Sequence, residues 1–196
     1  MASRHCELLR ARPHYSWTPG HGGLGEALAL ARTAASRGGA VLEVGFGMGI
    51  SARYIQTHDI GSHTIIEPNW EVFQQLQTFA QKAIHPVEPL LGFWEEVTPS
   101  LPTECFSGIL FDTYPLLADE LHENHFPFFK EAYRLLKPGG VLTYYSDERD
   151  SFSPSHRAQL IHAGFSNIRS EGCPVRPPPD CAYWRDDSLL VPIIQR

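Results

Sequence analysis

The stretch Val41-Leu42-Glu43-Val44-Gly45-Phe46-Gly47-Met48-Gly49-Ile50 leaves this chain few folds to choose from. Val41 to Val44 is short, apolar and bounded by Gly38-Gly39 before it and Gly45 after it, the pattern of a buried strand. Three glycines at alternate positions then allow a sharp turn and a close approach of backbone to a ligand, because no Cβ stands between. Ile50 to Thr57 opens a helix directly behind the turn. Strand, glycine turn and helix in that order form the unit with which open α/β sheets hold a nucleotide at the C-terminal ends of their strands.

The glycine spacing separates two ligand classes. A dinucleotide fingerprint needs its third glycine at position 50, where this chain has Ile50. The sequence gives Gly45-x-Gly47-x-Gly49 instead, with an acid, Glu43, two residues before the first glycine. That arrangement resembles the cofactor motif of class I S-adenosyl-L-methionine (SAM) methyltransferases, which share a Rossmann-like fold. The resemblance implies that Glu43 helps position the methionine end of the cofactor. It also implies that Gly45, Phe46, Gly47, Met48, Gly49, Ile50 and Ser51 pass beneath the nucleoside. This ligand has no pyrophosphate to seat on a helix N-terminus, so the third dinucleotide glycine is dispensable. On spacing alone a dinucleotide stays the alternative.

Composition narrows the class further. The chain has 196 residues, enough for one domain with a sizeable core, and its 42% hydrophobic and 19% charged content is that of a soluble globular protein. Sixteen Lys+Arg against twenty-two Asp+Glu leave a net charge of −6. A duplex nucleic-acid binder would show a basic surplus, so no nucleic-acid substrate is expected. A small cationic acceptor suits the acidic balance better. Cys6, Cys105, Cys173 and Cys181 make no Cys-x-x-Cys pair and no zinc spacing, so a reduced compartment and no metal are expected. No signal peptide and no membrane-spanning run are seen, which makes the expected location cytoplasmic with no membrane partner. A homodimer is compatible with the chain, which gives no direct sign of assembly.

The rest alternates between strand and helix. Residues 1–22 read as an irregular arm, and Leu24 to Arg37 as a helix, so residues 1–37 are expected to cover the site and 38–196 to form the catalytic domain. His63 to Ile66 is a strand ending on Glu67, 20 residues beyond Gly47, where nucleotide folds place the acceptor for ribose hydroxyls. A solvated acid at a strand end is the alternative. Pro68 follows, and Asn69 can cap a helix reaching about Lys82, with Val72, Leu76 and Phe79 on its apolar face. Val87 to Leu91 is a third strand. In SAM folds adenine lies beside the loop that follows it, so Trp94 and Glu95 are candidates for contact, with Trp94 in the core as the alternative. Cys105 to Phe111 is a fourth strand, ending in Asp112-Thr113-Tyr114-Pro115. Helical pieces at Asp119 to Asn124 and Pro127 to Leu136 precede a Lys137-Pro138-Gly139-Gly140 turn and a strand from Val141 to Tyr145. A helix at Ser155 to Ala163 and strands at Ile168 to Gly172 and Leu189 to Ile194 close the chain, the last two joined by a proline-rich link, Val175 to Pro179. The expected fold is an open, mostly parallel seven-stranded α/β sheet with helices on both faces.

These residues together resemble the guanidinoacetate N-methyltransferase family. The resemblance rests on Val41 to Met48, on Ile65-Ile66-Glu67 with Asn69, and on Gly92, Trp94 and Glu95. It continues through Asp112-Thr113-Tyr114-Pro115-Leu116, Arg134 to Tyr144, and Pro178-Pro179-Asp180-Cys181 with Tyr183. Asp112-Thr113-Tyr114-Pro115 is the distinguishing element, because methyltransferases in general do not carry it. The resemblance implies that Asp112 stands beside the methyl donor and receives the guanidine of the acceptor, with Tyr114 near the substrate. The chemistry agrees: a guanidinium, with pKa above about 12, is a poor nucleophile until a carboxylate orients it and accepts a proton as the N–CH₃ bond forms. Asp112 as cap of the following turn is the plain alternative.

Three departures bear on the acceptor. The family's Trp-Glu-Thr-Pro stretch, whose Glu supplies a second guanidine-binding carboxylate, is here Trp17-Thr18-Pro19. Trp17 remains a candidate for substrate contact, and Glu26, Asp147 or Glu148 could replace the missing acid, although each also reads as a solvated charge. Where the family meets the substrate carboxylate, this chain has the acid-rich Ser146-Asp147-Glu148-Arg149-Asp150, and the segments around the site are shortened. His122 and His125 read as surface or packing residues. The expected activity is therefore SAM-dependent methylation of a small guanidine other than guanidinoacetate: arginine or an arginine-derived secondary metabolite, for instance of the nucleoside-antibiotic type. Guanidinoacetate itself, a protein arginine side chain, and a SAM-binding module without catalysis are the competing readings.

Overall fold

The computed structural model describes residues 23–113, 125–146, 148–176 and 186–196. Seven strands form one sheet: β1 (Ala40–Val44), β2 (Ser62–Glu67), β3 (Val87–Leu91), β4 (Phe106–Phe111), β5 (Leu136–Tyr144), β6 (Asn167–Pro174) and β7 (Ser188–Gln195). Their order is β3-β2-β1-β4-β5-β7-β6. The first five run parallel, and β7 runs antiparallel to both β5 and β6. The expected seven-stranded, mostly parallel sheet is thus observed, with a single reversed strand between β5 and β6.

Helices α1 (Gly23–Ala35), α2 (Ile50–Ile55), α3 (Trp70–Ala80), α4 (Trp94–Val97), α5 (Phe129–Leu135) and α6 (Pro154–His162) connect or flank the strands. Strands β1, β2 and β4 are buried almost end to end; β1 and β4 are mostly apolar, whereas β2 buries His63, Thr64 and Glu67 beside Ile65 and Ile66. On one side Leu30, Ala31, Ala34 and Ala35 of α1 pack with Val41, Ile55 and Leu110. A second core gathers Leu42, Ile109, Phe128, Phe129, Tyr144, Leu160 and Phe165. Phe46, Ala52, Ile65, Phe73 and Leu76 make a third cluster under the glycine loop.

Several expected boundaries shift. The helix expected to run through Leu136 stops at Leu135, and the expected Lys-Pro-Gly-Gly turn lies inside β5. The register explains this: Phe106 faces Leu136 but Gly108 faces Val141, so extra residues of β5 bulge out while staying attached to the sheet. Backbone bonds from Gly139 N to Arg196 O and from Arg196 N to Gly140 O hold the bulge against the end of β7. Pro127 sits in a short 3₁₀ turn, Phe126–Phe128, at the entrance to α5, where its missing N–H costs nothing. The buried face of α3 is carried by Phe73 and Leu76, with Val72 and Phe79 partly covered. The piece expected at Asp119 to Asn124 lies outside the described residues. Among the described residues no helix is long and apolar enough to cross a membrane.

Neighbours β1 and β4 leave the sheet in the same direction, and the chain connects away from them to opposite sides. Such a reversal opens a crevice at the C-terminal strand ends, and here the glycine loop and Asp112 form its walls.

Candidate active site

The glycine loop is fixed by bonds from three directions. Gly45 N donates to Ile66 O at 2.9 Å, and Gly49 N donates to Phe46 O at 2.7 Å, closing the turn. From β2, Glu67 Oε2 accepts from Phe46 N at 3.0 Å and Gly47 N at 3.3 Å, while Oε1 accepts from Asn69 N at 2.8 Å. From α2, Arg53 Nη1 donates to the carbonyls of Met48 at 2.8 Å and Gly49 at 2.9 Å. Two glycines are required by geometry. A Cβ on Gly45, at φ 96°, would stand 2.2 Å from Asp112 O, and one on Gly49, at φ 67°, would stand 2.6 Å from the Phe46 ring.

Beneath the loop lies a wholly buried acid. Glu43 is unexposed; its Oε1 accepts from Ser51 Oγ at 2.5 Å and its Oε2 lies 2.9 Å from His63 Nε2. Both expected cofactor residues, Glu43 and Ser51, therefore face each other rather than the open cleft. Any hold they have on a ligand runs through the loop they anchor and through charge.

Asp112 follows β4, and its backbone N donates to Val44 O at 2.9 Å, which ties it to the end of β1. The residue is exposed to solvent. Its pKa is pushed up to about 6, chiefly by desolvation and secondly by the nearby Glu43 carboxylate. With no cation paired to Asp112 among the described residues and the buried Glu43 carboxylate close enough to act on it, the site favours a positively charged ligand.

The remaining expected residues take varied places. Met48 is half-exposed on the loop, Gly47 has open space where a Cβ would stand, and Ile50 and Pro68 are half-buried. Asn69 Oδ1 accepts from Glu71 N and Val72 N, so the amide caps α3 as expected. Trp94 packs edge-on against Phe111 and Phe128, at 6.2 and 5.1 Å between ring centres, which supports its core reading; Glu95 is exposed. Glu148 is occupied: Oε1 accepts from Ser153 N at 2.9 Å and Oε2 lies 3.3 Å from His156 Nδ1. Trp17, Tyr114, Asp147 and His122 lie outside the described residues, as does the side chain of Glu26.

His125 is a packing residue, as expected, but of the core rather than the surface. It is 3% exposed and stacks on Tyr144 at 4.7 Å, beside His156, Phe126 and Phe129. Burial pushes its pKa down to about 3, with His156 adding to the effect. Tyr144 Oη lies 2.6 Å from His156 Nε2. No group of three or more His, Cys, Asp or Glu among the described residues could hold a metal. Sequence reading overlooked His63, Arg53 and Gln56. Only His63 left a signal: an ionisable residue inside a run that is otherwise buried strand requires a partner, and the partner sits two strand positions away on β1.

The fold and cleft define a SAM-dependent methyltransferase of class I. The family model for guanidinoacetate N-methyltransferase matches residues 26–196, and the chain belongs to that family. Its cofactor is S-adenosyl-L-methionine, and the cleft fits it: the face above Gly47 is open and two carboxylates can offset a cation. Protein arginine N-methyltransferase 2 of Yarrowia lipolytica is 30% identical over 113 residues, covering 57% of this chain and 23% of that one. The chain thus spans about a quarter of the length of that relative. Among solved structures, spermidine synthase from Thermotoga maritima superposes with a TM-score of 0.65 at 16% identity, covering 89% of this chain and 60% of that chain. TYW2 of M. jannaschii, solved in complex with AdoMet, superposes with a TM-score of 0.60 at 14% identity, covering 93% and 77%.

Proposed function

We propose that the chain methylates a guanidino nitrogen of arginine or of an arginine-derived small molecule, in preference to guanidinoacetate. The observation that carries this reading is Asp112: a carboxyl at the strand ends of the crevice, raised to about 6 and without a cationic partner among the described residues. When bound, SAM supplies an electrophilic methyl whose transfer forms N–CH₃, breaks S–CH₃ and leaves a neutral thioether. Asp112 pairs with two guanidinium N–H groups, turns the third nitrogen towards the methyl, and accepts the proton that this nitrogen loses. Above pH 6 Asp112 is ionised and can bind the guanidinium, yet it is a stronger base than an ordinary aspartate. Glu67 has three of its lone-pair positions taken by loop N–H groups, and we assign the remaining one to the ribose hydroxyls of the cofactor.

The preference for arginine rests on the loop after β5. Arg149 there is shared between Asp150, Asp186 and Asp187, all exposed, so the rim keeps an excess of acid that disfavours the free carboxylate of a short substrate. An arginine side chain of a protein is the second reading, favoured by the likeness to protein arginine N-methyltransferase 2. The test is calorimetric titration of the S-adenosylhomocysteine-bound protein with guanidinoacetate, arginine, larger arginine-derived guanidines and an arginine peptide, followed by methyl-transfer assays. Tighter binding and faster turnover of arginine than of guanidinoacetate is the expected result. Guanidinoacetate as the better acceptor would overturn the preference, and no turnover of any guanidine would overturn the activity.

A further inference from the structure

Gly45, Gly47 and Gly49 all sit at positive φ, at 96°, 51° and 67°, so the glycine loop keeps its shape through its partners rather than through side-chain sterics. Those partners form two clamps, one at each end. At the start of the loop Glu67 Oε2 accepts from Phe46 N and Gly47 N at 3.0 and 3.3 Å. At its end Arg53 Nη1 donates to Met48 O and Gly49 O at 2.8 and 2.9 Å, and Arg53 N donates to Gly49 O at 3.2 Å. An anion thus takes two consecutive N–H groups, and a cation two consecutive carbonyls. Between the clamps lie Gly47, with nothing within 4 Å of where a Cβ would stand, and Met48, 49% exposed.

The two clamps are supported differently. Glu67 is buried at the end of β2, and Asn69 N holds its second oxygen. Arg53 is exposed on α2, and no acid among the described residues is ion-paired with it. An exposed arginine commonly leaves its charge in water or on an acid. Here a single nitrogen serves two backbone carbonyls, and such charge-assisted bonds are stronger than those between neutral groups. Placement on the helix explains the reach: side chains lean towards the N-terminus, so a residue four positions after Gly49 lies over the end of the loop. Met48 O has no other partner among the described residues.

We propose that Arg53 is a positioning residue for the cofactor. Its guanidinium locks the Met48–Gly49 end of the loop before the methyl donor arrives and completes the hold that Glu67 begins, so the open face above Gly47 is already formed. Arg53 acts through the loop backbone and not on the ligand. A loop released at one end must be ordered during binding, and that ordering is subtracted from affinity.

The test is calorimetric titration of the full chain with S-adenosylmethionine and with S-adenosylhomocysteine, without any acceptor. It rests on the cofactor and not on the guanidine reading, so failure of that reading leaves it standing. Arg53→Ala removes both side-chain bonds and leaves the backbone bond to Gly49 O in place; Arg53→Gln keeps a polar side chain too short to reach the loop. In both variants the affinity for the two ligands should fall by the same factor, about tenfold, the order of one charge-assisted hydrogen bond. Hydrogen exchange of the loop amides should quicken in the ligand-free variants and return to the parent rate once ligand is bound, while the urea midpoint stays at the parent value. Parent-like affinity in either variant would overturn the proposal. So would a change confined to the sulfonium ligand, which would mark a plain charge effect. A loss accompanied by a lower urea midpoint and faster exchange throughout the chain would make Arg53 merely structural and overturn it too.

Discussion

At the scale of single residues, Asp112 meets two demands that pull against each other. Binding a guanidinium asks for an ionised carboxylate, and taking its proton asks for a basic one; a carboxyl titrating near 6 serves both at neutral pH. Its kcat/KM profile should accordingly show an acid limb with an apparent pKa of about 6. A limb near the ordinary aspartate value would remove the desolvated carboxyl from the reaction. Asp112→Asn should lower turnover by at least about a hundredfold while cofactor affinity, read by calorimetry, stays within a few-fold. The same substitution should raise the thermal midpoint at pH 7.5. A carboxyl whose folded pKa lies above its unfolded value opposes folding once both states are ionised, and the amide removes that opposition. A lower midpoint in the variant would show that the ionised form is held by some compensating contact.

At the scale of elements, the loop and the helix after it can be tested separately. Gly49→Ala forces a left-handed residue with a Cβ 2.6 Å from the Phe46 ring, a backbone cost of about 1–2 kcal/mol that should appear mainly as weaker cofactor binding, about tenfold. Asn69→Ala removes the cap that accepts from Glu71 N and Val72 N and should cost about 1 kcal/mol of stability, read by urea unfolding. Retained affinity in the first, or an unchanged midpoint in the second, would show that the neighbouring bonds from Glu67 and Arg53 suffice alone. What was legible in the sequence follows the same division. Strands β1 and β4, the glycine turn and the Asn69 cap were readable because each rests on local chemistry: a buried, mostly apolar run, φ above zero, a side-chain acceptor at the right offset. The bulge in β5 was not, since Lys137-Pro138-Gly139-Gly140 is turn chemistry locally and only the register against β4 and the end of β7 keeps it in the sheet. The close approach of His63 to Glu43 was equally hidden, because strand order and register, not spacing, bring the two together. Glu148 as a replacement substrate acid looked open in sequence for the same reason; its partners, Ser153 and His156, lie on the next helix, where tertiary packing places them.

For the whole molecule, buried histidines and Asp112 act on the dependence of stability on pH with opposite sign. His125 has a folded pKa of about 3, against an ordinary value of 6.5, because it is buried among aromatic rings beside His156. Below pH 6.5 the unfolded chain binds a proton that the folded chain refuses, so stability falls by about 1.4 kcal/mol per pH unit from this residue alone, until the folded pKa is reached. Burial moves His156 the same way. Asp112 works in the other direction: between its folded value of about 6 and its ordinary value of 3.8 the folded chain keeps a proton that the unfolded chain has lost. Acidification through this window therefore stabilises the fold from Asp112 and destabilises it from the histidines, and the net slope is shallower than the histidines alone would give. His125→Phe keeps an aromatic ring on Tyr144 and removes the refused proton, so it should flatten the loss of unfolding free energy between pH 7.5 and 5. Asp112→Asn should steepen that loss, because the opposing gain disappears with the carboxyl. Urea titrations of the two variants and the parent at both pH values decide the matter. Parallel slopes in all three would show that neither group governs acid stability, and that the acid response lies in the other carboxylates.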